Sequence, residues 1–145
     1  MQDRSHVVSQ TASTAGVVEL IAGNPAWTDY TVSVDVKAPA GTAPFGITGR
    51  YHDFNNTYML LLRDGTTWQL AKRVAGTFSQ LSAGAFSPVA GTWYNLQLTF
   101  HGTTITASLN GTVLATVTDS SLASGQIGFR TSNTPAYDNV LVTSP

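Results

Sequence analysis

The sequence predicts an all-β domain, a sandwich or barrel of many short antiparallel strands, and three observations support this prediction. Helical periodicity is almost absent. Apolar and polar residues alternate along segments such as 30–37 and 94–101, the period of a strand with one buried face. Turn signals recur at short spacing, as in Asp64-Gly65, Ala75-Gly76 and Asn110-Gly111. A regular run of short strands and turns is typical of sandwiches and barrels.

The pattern predicts eleven or twelve strands, near residues 6–10, 17–22, 29–38, 45–52, 57–63, 67–74, 78–82, 92–101, 103–109, 112–118, 125–131 and 136–143. Asn110-Gly111 tolerates positive φ at both positions and is expected to form a tight hairpin turn. Residues 120–124 are expected to allow one helical turn. The strand at 57–63 is apolar on both faces, so we expect the core beneath it and loops or a ligand above it.

Length and composition favour one module over residues 1–145, with residues 1–5 expected to be flexible. The net charge is −1 and the sequence has no Lys/Arg run, which argues against nucleic acid or an anionic membrane as a partner. No apolar run approaches the roughly 18 residues of a membrane span. Charged residues make up 10% of the chain. Their replacement by Thr, Ser and Gly favours a secreted, extracellular protein.

Catalytic motifs are not found in the sequence. Glycoside hydrolysis usually needs two carboxyl groups, and the chain has a single glutamate, Glu19. There is no cysteine, no G-x-S-x-G elbow, no H-E-x-x-H pair and no phosphate-binding glycine loop. The histidines, His6, His52 and His101, share no metal-ligand spacing. We therefore expect a protein that is not an enzyme.

One carboxylate, Asp138, lies within the last apolar strand, in Tyr137-Asp138-Asn139-Val140. Burying a carboxylate is costly unless a positive charge or several donors satisfy it. No basic residue is adjacent in sequence. Asp138 therefore indicates either a metal ion or a cluster of backbone N–H donors.

The order of several short motifs resembles the concanavalin A-like lectin/glucanase superfamily, and within it the laminin G-like and levan-binding-module branch that includes the C-terminal lectin domain of galactocerebrosidase. The motifs are Trp27-Thr28-Asp29-Tyr30, Gly49-Arg50-Tyr51, Asp53-Phe54-Asn55-Asn56-Thr57-Tyr58, Trp68-Gln69-Leu70-Ala71-Lys72, Gly91-Thr92-Trp93-Tyr94, Asn110-Gly111, Gly128-Phe129-Arg130 and Tyr137-Asp138-Asn139-Val140. The resemblance implies a jelly-roll β-sandwich with one concave sheet. It also implies carbohydrate binding and, in many members, a structural Ca²⁺.

The resemblance places the calcium ligands at Asp29 and Asp138, with Asn24 and Asn139 as weaker candidates. Calcium binds several oxygen ligands, and the carbonyls of the loop at 23–25 could complete such a set. The alternative is that Asp29 caps a turn while Asp138 accepts backbone N–H groups.

Candidates for sugar contact are aromatic side chains, which stack on sugar rings, and multi-donor side chains, which bind hydroxyls. They are Arg50, His52, Asp53, Asn56, Tyr58, Trp68, Lys72 and Arg130. Alternation predicts that Arg50 faces opposite to Ile47 and Tyr51, which makes it the strongest candidate. Trp68 shares its face with Leu70 and Lys72, so it is equally a core candidate. Trp27 and Trp93 are expected to pack or cap the sandwich edge. Levan-binding relatives also use an acidic pocket residue, for which no match is evident.

These expectations combine into a non-catalytic carbohydrate-binding module, monomeric and covalently linked to a glycoside hydrolase or lyase. The module would bind a polysaccharide or oligosaccharide and hold its catalytic partner near the substrate. Two alternatives remain open at this point. One is a laminin G-like protein-interaction or adhesion domain. The other is an accessory domain that completes a neighbouring catalytic domain.

Overall fold

The computed structural model describes residues 8–9, 18–131 and 136–143, and the described chain forms twelve β-strands. The strands are β1 Val8–Ser9, β2 Val18–Ala22, β3 Tyr30–Lys37, β4 Phe45–Asp53, β5 Asn56–Arg63, β6 Thr67–Val74, β7 Thr77–Ala85, β8 Trp93–His101, β9 Thr104–Leu109, β10 Thr112–Thr118, β11 Gln126–Thr131 and β12 Ala136–Thr143. The strand prediction is confirmed in number and position. Residues 1–5, expected to be flexible, and His6 lie outside the described residues.

The strands form two antiparallel sheets of six strands each. Sheet A has the order β1-β12-β3-β8-β9-β10, and sheet B has the order β2-β11-β4-β5-β6-β7. The sandwich prediction is therefore confirmed. The helical turn expected at 120–124 is wrong, because that segment is an irregular loop between β10 and β11. No helix in the described residues is long and apolar enough to cross a membrane.

The core lies between the sheets and is built from the inward residues of the alternating strands. Val32, Val34 and Val36 of β3 face Ile47 of β4 and Leu60 of β5, all fully buried. Each such side chain contributes about 1.5–3 kcal/mol of stabilisation relative to an exposed position. Alternation thus fixes which face of each strand points outward.

The Asn110-Gly111 turn confirms the hairpin prediction. Asn110 has φ of 50° and Gly111 has φ of 80°, and Leu109 pairs with Thr112 across the turn. Positive φ at both central residues is the geometry whose twist matches the flanking strands.

A β-bulge in β4 reverses the expected orientation of Arg50. The pairing registers of β4 with β5 and with β11 both shift next to this residue, and Arg50 has a φ of 44°. A bulge inserts one extra residue and therefore breaks strict alternation. Gly125 packs directly on this bulge, since a Cβ there would lie 2.3 Å from the Arg50 carbonyl carbon. The Arg50 side chain consequently points into the sandwich instead of away from it.

Candidate functional site

The outer face of sheet B, the face that points away from the core, has a flat floor of small and apolar residues. Antiparallel register aligns these residues in rows that run across the strands. One row is Arg130, Gly46, Leu61 and Gln69, and the next is Gly128, Thr48, Met59, Ala71 and Gln80. Gly46, Gly128 and Ala71 carry little or no side chain, and Leu61 and Met59 are apolar. The long polar side chains of Arg130, Gln69 and Gln80 lie toward the ends of the rows. The rows therefore form a surface of small and apolar residues with polar residues near its edges.

Five side chains lie across this floor and alternate between arginine and phenylalanine: Arg130, Phe54, Arg73, Phe78 and Arg63. The Arg130 Cζ lies 4.4 Å from the Phe54 ring centroid, and the Arg73 Cζ lies 5.0 Å from the same ring. Arg73 and Arg63 lie 5.6 and 5.8 Å from the Phe78 centroid. These distances are within the range of cation–π attraction. We call these five residues the Arg–Phe arc.

The arc explains why β5 is apolar on both faces. Met59 and Leu61 point away from the core, yet they are buried and form a small separate cluster with Ala71. Arg130 Nη1 donates to the Met59 sulfur at 2.6 Å. Phe54 and Phe78 remain 41% and 37% exposed, so the arc presents two aromatic side chains to solvent. The second face of β5 is thus covered by side chains of neighbouring strands and one hairpin.

A directional chain of hydrogen bonds extends from one end of the arc. Arg63 Nη1 donates to Gln69 Oε1 at 2.7 Å, and Gln69 Nε2 donates to Gln80 Oε1 at 3.0 Å. The chain ends at the amide of Gln80, which lies on an exposed strand position. Such planar multi-donor groups match the geometry of hydroxyl and carboxylate ligands.

Unpartnered buried polar atoms concentrate on this same face. Among the described residues, the buried side-chain atoms with no hydrogen-bond partner are Thr48 Oγ1, Arg63 Nε and Arg73 Nε. All three residues point outward from sheet B in the strand register. Leaving one such group unsatisfied costs about 1–3 kcal/mol. Unsatisfied donors in a native fold need a physical explanation, and a ligand or water is the ordinary one.

Among the eight residues predicted for sugar contact, Arg130 is the one that lies on this face. The structure corrects the prediction for Arg50, Tyr58 and Trp68, whose side chains lie inside the sandwich at 2%, 0% and 7% exposure. Tyr58 and Trp68 face the core because they share parity with Leu60 and Leu70. A polysaccharide at the surface cannot reach these three side chains in this structure.

Arg50 instead ties together the loops at one end of the sandwich. Its Nε and Nη2 donate to the Thr28 carbonyl at 3.0 and 2.9 Å, and its Nη1 donates to the Leu122 carbonyl at 3.1 Å. Its Nη2 also lies 3.3 Å from Asp29 Oδ1. Burial of a guanidinium is tolerable because these acceptors satisfy it.

Asp53 and Asn56 hold the hairpin that carries Phe54. Asp53 Oδ1 accepts the Asn55 backbone N–H at 2.8 Å and the Asn56 amide at 3.0 Å. Asn56 Oδ1 accepts the Ala75 backbone N–H at 3.0 Å, which joins this hairpin to the β6–β7 turn. These two predicted sugar ligands therefore position the arc. His52 directly precedes Asp53 at the same end of β4, but its Nε2 lies 2.7 Å from the Ser124 carbonyl oxygen, in the loop before β11.

Lys72 belongs to a polar cluster beneath the loop that follows β10. Its Nζ lies 2.6 Å from Asp119 Oδ2, and the Tyr58 hydroxyl donates to Asp119 Oδ1 at 2.6 Å. Burial alone would raise the pKa of Asp119, but the hydrogen bonds from Lys72 and Tyr58 outweigh it and hold that pKa well below its usual range. Burial, followed by the bond to Asp119, raises the pKa of Tyr58 to about 12. Lys72 therefore fastens the loop to sheet B.

The structure does not bring the predicted metal ligands together. Asp138 pairs in register with Asp35 on β3. Asp29 lies six residues before Asp35, so about 20 Å separates Asp29 from Asp138 along the strand. Asp29 Oδ1 accepts the Gly102 N–H at 3.0 Å and contacts Arg50. Asn24 Oδ1 caps its own turn through the Ala26 N–H at 2.8 Å.

The surroundings of Asp138 and Asn139 also differ from a calcium cage. Asp138 Oδ1 accepts the Asn139 N–H, and Asn139 Nδ2 donates to Asp35 Oδ2 at 2.6 Å. Amide N–H groups of Asn139 and Asn95 thus point at the Asp35 carboxylate, the place where a cation would need oxygens. The described residues contain no group of three or more His, Cys, Asp or Glu side chains suited to a metal. The predicted set does not fit one calcium ion.

The two tryptophans predicted to pack at the sandwich edge behave differently. Trp27 packs against the core, edge-on to Tyr30 with a centroid distance of 6.0 Å. Trp93 is 43% exposed, because it occupies an outward position of β8 opposite Lys37 of β3. Trp27 therefore packs as expected, whereas Trp93 is not packed in the core and stands at the outward start of β8.

Sequence reasoning missed most of the outer-face residues. Arg63, Gln69 and Arg73 share outward parity with Met59 and Ala71, and this parity was available from alternation. Their meeting with Phe54 and Phe78 was not, because it depends on the register between hairpins. The sequence signal was the clustering of polar and cationic residues at outward positions of adjacent strands.

Comparison with known proteins supports the architecture. The family model described as a 3-keto-alpha-glucoside-1,2-lyase-like domain matches residues 4–143. No curated protein sequence matches the chain. The carbohydrate-binding module CBM66 of Bacillus subtilis superposes with a TM-score of 0.83 at 18% identity, covering 99% of each chain.

Two further structures show the same sandwich in other proteins. The Caenorhabditis elegans galectin LEC-6 has a TM-score of 0.66 at 13% identity and covers 90% of this chain and 93% of its own. A xylan beta-1,4-xylosidase from Bacillus halodurans has a TM-score of 0.60 at 11% identity, with 81% of this chain matched to 28% of the enzyme. These likenesses confirm the concanavalin A-like jelly-roll fold predicted from the motif order.

Proposed function

The chain belongs to the 3-keto-alpha-glucoside-1,2-lyase-like domain family, and from this membership and the geometry we propose that it is a non-catalytic carbohydrate-binding module whose ligand surface is the outer face of sheet B. The observation that carries the proposal is the Arg–Phe arc with its unpartnered donors. The fold shared with CBM66 and galectin structures agrees with it.

The chemistry of the arc suits a sugar. Phe54 and Phe78 offer exposed aromatic surface for the C–H side of a pyranose or furanose ring. Arg63 and Gln80 flank that surface with donors that can bind ring hydroxyls. A small rotation of the Arg63 or Arg73 side chain would let its orphaned Nε–H donate to the ligand as well.

The shape of the surface suits a chain-like ligand. The floor crosses several strands, and exposed hydroxyls already bind water well, so affinity per sugar is modest. Several contacts along a polysaccharide would add up, and a linked catalytic domain would gain effective substrate concentration. We include such a linkage, monomeric state and an extracellular location in the proposal. The xylosidase, in which the matching region is 28% of the enzyme, offers a precedent for the arrangement.

Binding can be tested with affinity gels and isothermal titration over plant, algal and microbial polysaccharides. We expect at least one glycan to retard the wild-type domain, and Phe54→Ala and Phe78→Ala to weaken binding about tenfold. Val113→Ala is the matched control, because Val113 is an exposed apolar residue of β10 in the other sheet. Absence of binding to the whole panel, or equal loss in all three variants, would refute the proposal.

The family description also names a lyase, which makes catalysis the second candidate. Two carboxylates, Asp35 and Asp138, pair in register on sheet A beside an open pocket of about 180 Å³ lined by Ser33, Asn95, Asn139 and Leu141. Proton abstraction needs a base within hydrogen-bond reach of the substrate proton. The amide groups of Asn95 and Asn139 each donate to one Asp35 oxygen and hold this carboxylate in a network of neighbouring side chains, which favours a structural role. Turnover of a 3-keto-glucoside, followed by NMR and lost in Asp35→Asn, would replace the binding proposal.

A further inference from the structure

The outer face of sheet B concentrates positive charge in a chain that is nearly neutral. The sequence has five arginines and two lysines with a net charge of −1. Three of the five arginines, Arg63, Arg73 and Arg130, belong to the Arg–Phe arc. A cationic surface on a protein without overall positive charge points to a ligand that carries its own negative charge.

Two of these guanidinium groups have neutral partners. Arg63 donates to the Gln69 amide, and Arg73 Nη1 donates to the Gly76 carbonyl at 3.3 Å. Among the described residues neither forms an ion pair, whereas Arg50 and Lys72 pair with Asp29 and Asp119. Arg130 is different, because its backbone pairs in register with Glu19. The inference therefore rests on Arg63 and Arg73.

The arrangement repeats a cation–aromatic–cation unit. Arg63 and Arg73 flank Phe78, while Arg73 and Arg130 flank Phe54, so Arg73 contacts both rings. Each ring offers a stacking surface, and the neighbouring guanidinium offers a planar pair of donors. Arginine binds a planar carboxylate through two parallel hydrogen bonds.

On the premise of the proposed function, we infer that the ligand is an acidic glycan whose sugars carry carboxylates, a polyuronate. A sugar ring stacks on Phe78 or Phe54, and its carboxylate binds Arg63 or Arg73. In the free protein the phenylalanine rings hold the guanidinium groups in place of the ligand. Binding replaces these cation–π contacts with charge-assisted hydrogen bonds.

The test compares matched polymers by isothermal titration. Polygalacturonate is the acidic probe, and its fully methyl-esterified form is the neutral one with the same backbone. We expect affinity for polygalacturonate to exceed that for the ester at least tenfold, and to fall about fivefold or more when NaCl rises from about 0.05 to 0.5 M. Equal binding to both polymers would overturn the acidic-glycan inference and leave the module function standing. No binding to any polysaccharide of the wider panel would overturn both.

Single-residue variants test whether the guanidinium groups of the Arg–Phe arc bind the acidic polymer. Arg63→Gln and Arg73→Gln should each lower affinity for polygalacturonate about tenfold and affinity for the ester by a clearly smaller factor, because the Gln amide still binds hydroxyls but does not pair with a carboxylate. Lys37 is an exposed cation on sheet A, so Lys37→Gln changes the net charge by the same amount. This variant should leave affinity for polygalacturonate unchanged. Equal losses in all three variants would mean that only net charge matters, and would refute the assignment.

Two control polyanions distinguish binding of a carboxylated sugar from binding of any anionic polymer. Poly-L-glutamate carries carboxylates without sugar rings, and dextran sulfate carries sugars with tetrahedral anions. We expect both to bind at least about tenfold more weakly than polygalacturonate. Poly-L-glutamate has no sugar ring to stack on phenylalanine, and dextran sulfate has no planar carboxylate for the guanidinium groups. Binding of either polymer as tightly as polygalacturonate would overturn the inference.

Discussion

The Asp119–Lys72–Tyr58 cluster gives the sharpest test of how the loop after β10 is held. Asp119→Asn keeps the size of the side chain and removes its charge. The carboxylate accepts two bonds of 2.6 Å, from Lys72 Nζ and the Tyr58 hydroxyl, and one of 2.9 Å from the Ser121 N–H. Bonds to a charged group contribute about 1.5–3 kcal/mol each, and an amide retains part of that, so we expect a net loss of about 2–3 kcal/mol.

Thermal unfolding followed by circular dichroism at pH 7 measures this loss. At this chain length about 1 kcal/mol corresponds to about 4 °C, so the Tm of Asp119→Asn should fall by about 8–12 °C. Lys72→Met serves as the partner in a double-mutant cycle. The pair is partly solvent-exposed, so its coupling energy should be about 1 kcal/mol.

The same cluster predicts a pH dependence of fixed sign. The pKa of Asp119 is lowered in the folded state, so its stabilisation is complete above the unfolded value of about 4 and is lost as pH falls through the folded value. The Tm difference between wild type and Asp119→Asn should therefore narrow from pH 5 to about pH 2.5. A difference under about 1 °C at pH 7, or one that stays constant to pH 2.5, would refute this account of the cluster.

Three further predictions concern the end loops and one hairpin. Arg50→Met should lower the free energy of unfolding by about 3–5 kcal/mol in urea titrations, since the Thr28 and Leu122 carbonyls lose their buried donor. A loss below about 1 kcal/mol would contradict the role of Arg50 in joining these loops. Asp29→Asn should leave any Tm response to added Ca²⁺ or chelator unchanged, because Arg50 and the Gly102 N–H both bind Asp29 Oδ1. A response abolished by this variant would restore Asp29 as a ligand. Gly111→Ala should lower the free energy of unfolding, measured by urea titration, by about 1 kcal/mol. The cost comes from the positive φ alone, because no atom lies within 4 Å of the added Cβ. A stabilised variant would show that the turn relaxes freely.

Alternation accounts for how much of the fold the sequence predicts. Residues such as Val32, Val34 and Leu96 follow the two-residue period of a half-buried strand, so their strands and inward faces are readable from local pattern. Turns such as Asn110-Gly111 are equally local, since their φ angles depend on the residues themselves. Pairing between distant strands leaves a weaker trace in the sequence.

The candidate site was harder to predict because it depends on departures from that period and on long-range register. Alternation assigns Arg50 to the wrong face, because one bulge shifts the parity of β4. Phe54 and Phe78 come from different hairpins and meet the same guanidinium only once the sheet is assembled. Arg130, one of the multi-donor residues predicted for sugar contact, lies on the outer face, and its contact with a sugar stays a prediction.

The two-residue period also separates two kinds of selection along a single strand. In β5 and β6 the even positions, such as Leu60 and Leu70, hold the sandwich together, while odd positions, such as Arg63 and Arg73, face the solvent side. Odd positions at the surface, such as Arg63 and Arg73, can therefore vary among homologues with small effects on folding, whereas the buried Met59, Leu61 and Ala71 cannot. A library randomised at these outward positions alone should yield domains that keep one scaffold and recognise different glycans.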